Sequence, residues 1–261
     1  MSFWNGKVVF ITGAGAGIGR AFALRVARHG ASIVVVDADG EAADETASLV
    51  GKEQALPVQA NVTSEKEIGD AVASALARFK RIDVLHNNAS ILRRNENIED
   101  MSLDEFRGVI EVNSIGMFLC ARAVVPIMKQ NAGGVIVNMS SRGGARGQGR
   151  TLAYSLTKAG VLAFTRGLAE QLRPFSIRVN ALNSGLVETG MTRGGAYLEN
   201  AKRNNAYVFQ PDEMAMAVAY AAEREDLTGA VFEYFGAPAG PEMHLLGDFA
   251  FEKLDLSFAL P

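Results

Sequence analysis

In Lys7-Val-Val-Phe-Ile-Thr12-Gly13-Ala-Gly15-Ala-Gly17-Ile-Gly19, a short apolar run leads directly into a glycine-rich turn. The run Lys7–Thr12 predicts a buried strand, and the residues after the turn predict a helix that ends near Arg28. Glycine lets a backbone approach a pyrophosphate closely, and a helix N-terminus offers unpaired N–H groups. Turns also use glycine for purely structural reasons. The position directly after the first predicted strand favours dinucleotide binding.

The pattern of a short apolar run followed by a helix recurs along the chain. Ser32–Asp37 is almost continuously apolar, as a strand covered on both faces of a sheet requires. Further strands are predicted at Ala55–Ala60, Ile82–His86, Gly134–Met139, Ile177–Ala181 and Ala230–Tyr234. Helices are predicted between the strands, including Ser64–Phe79, Ser102–Lys129 and Tyr154–Leu172. This alternation predicts an α/β fold, a Rossmann-type doubly wound parallel sheet of about seven strands with helices on both faces.

Composition narrows the class of protein. The 261 residues are 48% hydrophobic and 21% charged, which suits one domain spanning residues 1–261 with a sizeable core. A net charge of −3 argues against a nucleic-acid-binding surface. Cys120 is the single cysteine, is expected in the core, and fits a reducing compartment. Neither a signal peptide nor a membrane-spanning run is evident, so we expect a soluble cytoplasmic protein with no membrane partner. The spacing of the three histidines predicts no metal site.

Asp37 ends the second predicted strand, where a carboxylate could accept hydrogen bonds from both hydroxyls of an adenosine ribose. The same carboxylate would repel a 2′-phosphate, and Ala16 and Ala38 stand where a cation could otherwise have neutralised that phosphate. NAD is therefore predicted in preference to NADP. The alternative for Asp37 is an N-cap of the next helix, and Arg20, one turn into the first helix, is predicted to be a surface or dipole-region residue.

Tyr154 and Lys158 stand four residues apart in a predicted helix, and Ser141 lies thirteen residues before Tyr154. Positions i and i+4 share a helix face, so the phenol and the ammonium would point into the same space. A phenol titrates near ~10, and closing the gap of about 3 units to neutral pH takes roughly 4 kcal/mol. A neighbouring cation in a partly desolvated cleft can supply that preference. Taken alone, the pair could also be an incidental feature of a surface helix.

Together these residues resemble the short-chain dehydrogenase/reductase family, and the resemblance runs from about Gly6 to Gly236. The ordered motifs are Thr12-Gly13-x-x-x-Gly17-x-Gly19, Asn87-Asn88-Ala89, Asn113, Ser141, Tyr154-x-x-x-Lys158, and Thr189 after Gly185. The resemblance implies an NAD(H)-dependent oxidoreductase that interconverts a secondary alcohol and a ketone, working as a homotetramer.

The resemblance implies catalytic roles for four polar side chains. Tyr154 would act as the general acid–base, and Lys158 would lower the tyrosine pKa and hold the nicotinamide ribose. Ser141, preferred to Ser140 by its spacing, would bind the substrate oxygen. Asn113 would hold a water beside the lysine in a proton relay.

The resemblance also implies the cofactor contacts Gly13, Gly17, Ile18, Gly19, Asp37, Asn61, Val62, Asn88, Ala89, Tyr154, Lys158, Val187 and Thr189. Asn88 and Ala89 would pass beneath the adenosine ribose. Val187 and Thr189 would hold the nicotinamide carboxamide. For Asn87, a buried amide that ties neighbouring strands together is the preferred interpretation.

Three features depart from the family's pattern. Asn61-Val62 replaces the usual Asp-Val beside the adenine, where an amide can still hydrogen-bond N6. Ser184-Gly185 replaces Pro-Gly, which is expected to loosen one turn near the nicotinamide. An extension at residues 237–261 continues past the usual end of the family and carries Phe249, Phe251, Leu254 and Phe258. The Ser-Gly pair and this tail resemble members that oxidise aromatic cis-dihydrodiols.

The substrate pocket is predicted from Ser90–Arg94, Arg142–Arg150 and a lid at residues 186–212. An arginine that faces the cleft would predict an anionic substrate, and the candidates are Arg93, Arg94, Arg142, Arg146 and Arg150. The alternative is a solvated loop. Apolar residues of the lid that would exclude water are Met191, Tyr197, Tyr207 and Phe209.

Two other functions remain open at the level of sequence. A non-catalytic nucleotide-sensing or scaffold protein could keep the same fold. An S-adenosylmethionine methyltransferase also uses a glycine-rich loop and an acidic second strand, but it has no use for Tyr154 and Lys158 at this spacing.

Overall fold

The computed structural model describes residues 2–237, 240–246 and 251–253. Its strands within those ranges are β1 Val8–Thr12, β2 Ser32–Asp37, β3 Ala55–Gln59, β4 Val84–Asn87, β5 Gly134–Ser141, β6 Ile177–Ser184, β7 Val231–Ala237, β8 Gly240–Leu246 and β9 Phe251–Lys253. They form one sheet in the order β3-β2-β1-β4-β5-β6-β7-β8-β9. The first seven strands run parallel, which confirms the predicted doubly wound sheet.

The last two strands were not predicted. β8 pairs antiparallel with β7, and β9 pairs antiparallel with β8. The predicted tail residues Phe249, Leu254 and Phe258 lie outside the described residues. Strands β5 and β6 also continue beyond their predicted ends, with Ser141 opposite Ser184 in the last register pair.

The helices in the described residues are α1 Gly17–Ala27, α2 Gly40–Val50, α3 Glu65–Phe79, α4 Leu103–Ile110, α5 Met117–Gln130, α6 Arg142–Ala145, α7 Leu152–Leu172, α8 Ala196–Arg203 and α9 Pro211–Glu223. Helices α1, α2 and α9 cover one face of the sheet, and α3, α5 and α7 cover the other. Successive side chains of β1 alternate between the two cores, with Val9 and Ile11 on the first face and Val8 and Phe10 on the second. This alternation explains why the strand reads as a continuous apolar run.

The helix predicted at Ser102–Lys129 consists of three consecutive helical segments. Ser102 and Glu105 form a capping box at the start of α4, which explains the position of the N-terminus. A π-helical turn, Glu111–Gly116, then separates α4 from α5 and contains Asn113. Such turns are a known local distortion of α-helices.

The combined helical run Leu103–Gln130 is long and apolar enough to cross a membrane, by length and composition alone. Its residues Cys120, Val124 and Met128 are buried against the sheet, so we assign the run to the outer helical layer. The predicted core position of Cys120 is confirmed, and burial raises the pKa of its thiol to about 12.

Candidate functional site

The glycine-rich turn lies at the carboxyl end of β1, where the strand order reverses between β1 and β4. This is the position at which open parallel sheets bind ligands. The Asn88 amide donates hydrogen bonds to Thr12 O at 3.0 Å and to Gly13 O at 2.9 Å. The backbone N–H groups of Asn88 and Ala89 both donate to Thr12 Oγ1 at 3.1 Å. Asn88 and Ala89 therefore fix the turn itself, and their contact with a ribose stays a prediction.

Close packing within the turn explains its glycines. A Cβ atom at Gly19 would lie 2.3 Å from the carbonyl oxygen of Gly13, far inside contact distance. Gly13 and Gly17 have φ values of +62° and +55°, which favour glycine. Helix α1 follows Ala16, whose side chain caps none of its first N–H groups. These N–H groups, with Ile18 among them, suit a phosphate.

Asp37 closes the turn from the end of β2. Its carboxylate accepts hydrogen bonds from the N–H groups of Gly15 at 2.8 Å and Asp39 at 3.0 Å. The N-cap of α2 is Asp39, which accepts from Ala42 N–H at 3.1 Å, so the alternative of Asp37 as the helix cap is wrong. A carboxylate has about four acceptor positions, so the two used here leave room for ribose hydroxyls.

Arg20 is partly exposed in the first turn of α1, in keeping with its predicted position, and it also has a structural role in this site. Its guanidinium donates to Gly15 O at 2.9 Å and forms an ion pair with Glu45 at 2.7 Å. The contact partners lie on the preceding turn and on α2, so the sequence around Arg20 gave no signal for them.

At the carboxyl end of β5, the Ser141 hydroxyl lies close enough to the Tyr154 phenol to lower its pKa. The neighbouring Ser140 instead donates to the backbone carbonyl of Lys158 at 2.7 Å, so it is committed to the core. Gly144 of α6 packs directly on the tyrosine, because a Cβ there would lie 2.9 Å from Tyr154 Cε1. The structure therefore brings Ser141, and not Ser140, to the phenol.

Lys158 is buried beneath the tyrosine. Its Nζ lies 5.4 Å from the centroid of the Tyr154 ring and donates a hydrogen bond to Met139 O at 2.9 Å. Burial lowers the pKa of Lys158 to about 8. Burial also raises the pKa of Tyr154, while the hydrogen bond from Ser141 and the charge of Arg94 act in the opposite direction.

The lowering of the Tyr154 pKa by Lys158 therefore stays a prediction. Desolvation destabilises the charged forms of both groups, and the lysine is not among the groups that lower the pKa of the phenol. The sequence places the two side chains on one helix face but does not reveal how deeply both are buried.

Asn113 is buried in the π-helical turn and ties three elements together. Its Oδ1 accepts from Ile91 N–H at 2.8 Å, and its amide donates to Ile91 O at 3.0 Å and to Thr157 Oγ1 at 3.1 Å. Both amide hydrogens are thus used within the protein. The role of Asn113 in holding a water stays a prediction.

Asn87 pairs with a second buried amide, and its donor lies 2.9 Å from Asn138 Oδ1. The preferred interpretation of Asn87 as a link between strands is confirmed. Ser184 of β6 likewise donates to Ser140 O of β5 at 3.3 Å, which ties the two strands together. That Ser184-Gly185 loosens the turn near the nicotinamide stays a prediction.

Asn61 and Val62 follow β3. The amide oxygen of Asn61 accepts from Thr63 N–H at 3.1 Å and from Thr63 Oγ1 at 3.0 Å, so it already has two donors. A Cβ at Gly116 would lie 2.6 Å from Val62 Cγ2, so Val62 packs directly on the π-helical turn. Their contacts with adenine stay predictions.

The predicted lid begins with a β-bridge between Val187 and Phe209. Thr189 lies beside the glycine-rich turn, because a Cβ at Gly17 would be 3.4 Å from Thr189 Cγ2. Thr192 fixes this segment by donating to Val187 O at 2.6 Å. Phe209 is fully buried, whereas the predicted lid residues Met191, Tyr197 and Tyr207 are exposed.

Three of the five candidate arginines are ion-paired. Arg142 and Arg146 contact Glu233 Oε2 at 3.1 and 3.4 Å, and Glu233 is only 1% exposed. Arg150 pairs with Glu96 at 2.6 Å on the surface. Arg94 is close enough to Tyr154 for its charge to act on the phenol.

Histidines show no metal-binding arrangement in the described residues, where no group of three or more His, Cys, Asp or Glu could hold an ion. His86 is fully buried, with Nδ1 3.1 Å from Val137 O, and burial lowers its pKa to about 4. Its role is therefore structural.

The profile of a known family, the short chain dehydrogenases, matches residues 7–196. The chain belongs to the short-chain dehydrogenase family. It is 40% identical over 196 residues to a trans-4-hydroxycyclohexanecarboxylate dehydrogenase of Sinomonas cyclohexanicum, covering 72% of this chain and 75% of that one. It is 33% identical over 241 residues to a cyclohexanol dehydrogenase of an Acinetobacter species, covering 90% and 95%.

Solved structures of other short-chain dehydrogenases have the same fold. A 3-ketoacyl-(acyl-carrier-protein) reductase from Brucella melitensis, solved in complex with NADH, superimposes with a TM-score of 0.83 at 34% identity. The alignment covers 88% of this chain and 97% of that one. The protein is therefore an oxidoreductase of the short-chain dehydrogenase family.

Proposed function

We propose that this protein is an NAD(H)-dependent dehydrogenase that interconverts a secondary alcohol and a ketone, with Tyr154 as the general acid–base. The observations that carry the proposal are the Ser141 hydroxyl, close enough to the Tyr154 phenol to lower its pKa, and Lys158 Nζ at 5.4 Å from the centroid of the same ring. An enzyme that moves a proton at a carbinol oxygen needs a titratable hydroxyl and a second donor within reach of that oxygen.

The residues present fit a bound dinucleotide. The uncapped start of α1 and the glycines of the turn would hold the pyrophosphate, and Asp37 would hold the adenosine ribose. Thr189 lies beside that turn, and Val187 and Thr189 would contact the nicotinamide end. When bound, the nicotinamide supplies the hydride acceptor for oxidation or the hydride donor for reduction.

Within this site, each side chain has a definite task. Tyr154 accepts the hydroxyl proton of an alcohol, or returns a proton to a ketone oxygen. Ser141 donates a hydrogen bond to the same oxygen and fixes its position. Lys158 Nζ lies 5.4 Å from the centroid of the Tyr154 ring, where its positive charge would favour the ionised phenol and its ammonium would hold the nicotinamide ribose.

NAD is preferred to NADP in this proposal because of the charge around Asp37. Its carboxylate lies where a ribose hydroxyl would bind, and it would repel a 2′-phosphate. The nearest cation of α1, Arg20, is already paired with Glu45. The related reductase from Brucella melitensis, which was solved in complex with NADH, supports the same preference.

The substrate is proposed to be a small secondary alcohol. Two relatives are named for cyclohexane alcohols, one neutral and one bearing a carboxylate. Cyclohexanol and trans-4-hydroxycyclohexanecarboxylate are therefore the first probes. We further propose that residues 186–212 form a lid over this substrate and that residues 237–261 extend a single catalytic domain.

The proposed assembly is a homotetramer. Ile115, Phe118, Leu152 and Leu156 are large apolar side chains left 37–57% exposed on the helices of one face. Burial of this surface between copies would remove it from water. Light scattering on the purified protein checks the proposal, and a monomer at micromolar concentration would contradict it.

The decisive experiment is Tyr154→Phe, which removes the hydroxyl and keeps the ring. We expect turnover of the probe alcohols to fall by about 100- to 10,000-fold, as for the loss of a general acid–base. NADH binding, followed by cofactor fluorescence, should persist. Tyr197→Phe is the matched control, because Tyr197 is an exposed lid residue. Undiminished turnover in Tyr154→Phe would remove the proposed chemistry, and tight NADH binding without turnover in the wild type would favour a nucleotide-sensing or scaffold protein.

A further inference from the structure

The segment that follows β4 is anchored at two points. At Ile91, both backbone polar groups bind the Asn113 side chain, at 2.8 and 3.0 Å. At Asn95, the backbone N–H donates to Arg150 O at 3.1 Å. Arg94 lies between these anchors, so its backbone is held in place before any ligand binds.

The side chain of Arg94 reaches from this segment to the lid. A Cβ atom at Gly195 would lie 3.5 Å from Arg94 Nη1, so the guanidinium lies against the lid backbone just before α8. Arg94 therefore connects the segment after β4, one of the predicted walls of the pocket, with the proposed lid.

The charge of Arg94 acts on the reaction site, because it helps to lower the pKa of Tyr154. The charge of the adjacent Arg93 helps to lower the pKa of Glu105. Arg142, Arg146 and Arg150 each have a carboxylate partner, but Arg94 forms no ion pair with any described residue.

We propose that Arg94 binds a carboxylate of the substrate, so that the preferred alcohol or ketone of this enzyme is an anion. A guanidinium recognises a carboxylate through two parallel hydrogen bonds, which fixes orientation as well as supplying charge. The anion would sit at the mouth of the pocket with its carbinol carbon directed to Ser141 and Tyr154. This inference rests on the proposed function and names its substrate class.

The test compares two alcohols in two variants. The probes are trans-4-hydroxycyclohexanecarboxylate and its neutral counterpart cyclohexanol, each followed by NAD⁺ reduction. Arg94→Gln should lower kcat/KM for the carboxylate by roughly 10- to 100-fold, mainly through KM, as for a lost hydrogen bond to a charged group. Cyclohexanol has no partner for the guanidinium, so a change in its kcat/KM reports only the effect of the Arg94 charge on Tyr154, and the carboxylate should lose at least about tenfold more than cyclohexanol does. Arg94→Lys should restore part of the lost kcat/KM for the carboxylate, because lysine keeps the positive charge but cannot form the two parallel hydrogen bonds of a guanidinium.

Arg93→Gln is the matched control, since it removes the neighbouring positive charge from the same segment. It should leave the ratio of the two kcat/KM values unchanged. The inference is overturned if the wild type prefers cyclohexanol, or if Arg94→Gln weakens both substrates equally. Loss of turnover with both probes in the wild type would instead count against the proposed function.

Binding gives a readout that does not depend on turnover. Calorimetry with cyclohexanecarboxylate and cyclohexanecarboxamide, with NADH present and absent, compares a charged with a neutral ligand of the same shape. The wild type should prefer the carboxylate by at least about tenfold, and Arg94→Gln should lose that preference. Equal affinity for the two ligands in the wild type would overturn the assignment of Arg94.

Discussion

Lys158 Nζ lies 5.4 Å from the centroid of the Tyr154 ring and directs its hydrogen bond to Met139 O, 2.9 Å away. Burial disfavours the ammonium and the phenolate alike, which lowers the pKa of Lys158 to about 8 and raises that of Tyr154. The pair that the proposed chemistry requires is thus held in an environment that opposes its charged forms. Such a site costs stability, and this cost can be measured.

Lys158→Met should stabilise the protein at neutral pH while abolishing turnover. The difference between the ordinary pKa of 10.5 and about 8 corresponds to about 3 kcal/mol of unfavourable charge, partly offset by the lost hydrogen bond to Met139. Between pH 8 and 10.5 the unfolded chain binds more protons at this lysine, so the stability of the wild type rises with pH across that interval. Thermal unfolding at pH 7 and pH 10 checks this, and an advantage of the variant that is equal at both values would contradict it.

Gly19→Ala should disrupt the start of α1. The new methyl group would lie 2.3 Å from the carbonyl oxygen of Gly13, and backbone cannot move aside cheaply. We expect a loss of about 1–3 kcal/mol in unfolding free energy and at least tenfold weaker NADH binding. Gly69→Ala is the control, because nothing lies within 4 Å of its new methyl and it sits inside α3, so it should stabilise by about 0.5–1 kcal/mol. Unchanged cofactor binding in Gly19→Ala would contradict the assigned role of the turn.

The elements that the sequence predicted well carry their signal locally. Side chains of β1 enter two cores in alternation, so the strand is apolar throughout and can be predicted from its sequence. The glycines after β1 are required by close contacts within and beside the turn. The elements that were missed depend on distant partners. β8 is defined by pairing with β7, and the π-helical turn around Asn113 depends on Ile91 and Thr157.

Asp37→Asn should weaken discrimination between the two dinucleotides. The amide oxygen can still accept one backbone hydrogen bond, but the negative charge that would repel a 2′-phosphate is gone. We expect kcat/KM for NAD⁺ to fall by roughly tenfold and that for NADP⁺ to rise, as for the loss of a charged hydrogen bond. Asp39→Asn is the control, since Asp39 caps α2 and asparagine caps equally well. Unchanged cofactor preference in Asp37→Asn would contradict the proposed choice of NAD.

The site was predicted less completely than the fold because charge partners cannot be read from local sequence. Arg142 and Glu233 are 91 residues apart in the chain, yet the side chain of Arg142, just after β5, meets that of Glu233 within β7. The sequence showed a loop rich in arginine without showing which arginine was already paired. Arg94 is distinguished from its neighbours by the structure alone.

Glu233→Gln should destabilise the protein by more than the loss of a surface ion pair does. Its carboxylate is 1% exposed and accepts from Arg142, Arg146 and Asn183, so the variant leaves two guanidiniums near a neutral amide. Breaking a buried pair can cost 3–5 kcal/mol, but the two arginine side chains are 32% and 53% exposed, so we expect about 1–3 kcal/mol. Glu96→Gln is the matched control, because it breaks a pair whose side chains are both 67% exposed, and it should cost less than about 0.5 kcal/mol. Chemical denaturation gives the free energy of unfolding of both variants. Equal losses in the two would show that the burial of Glu233 does not determine the strength of its ion pairs.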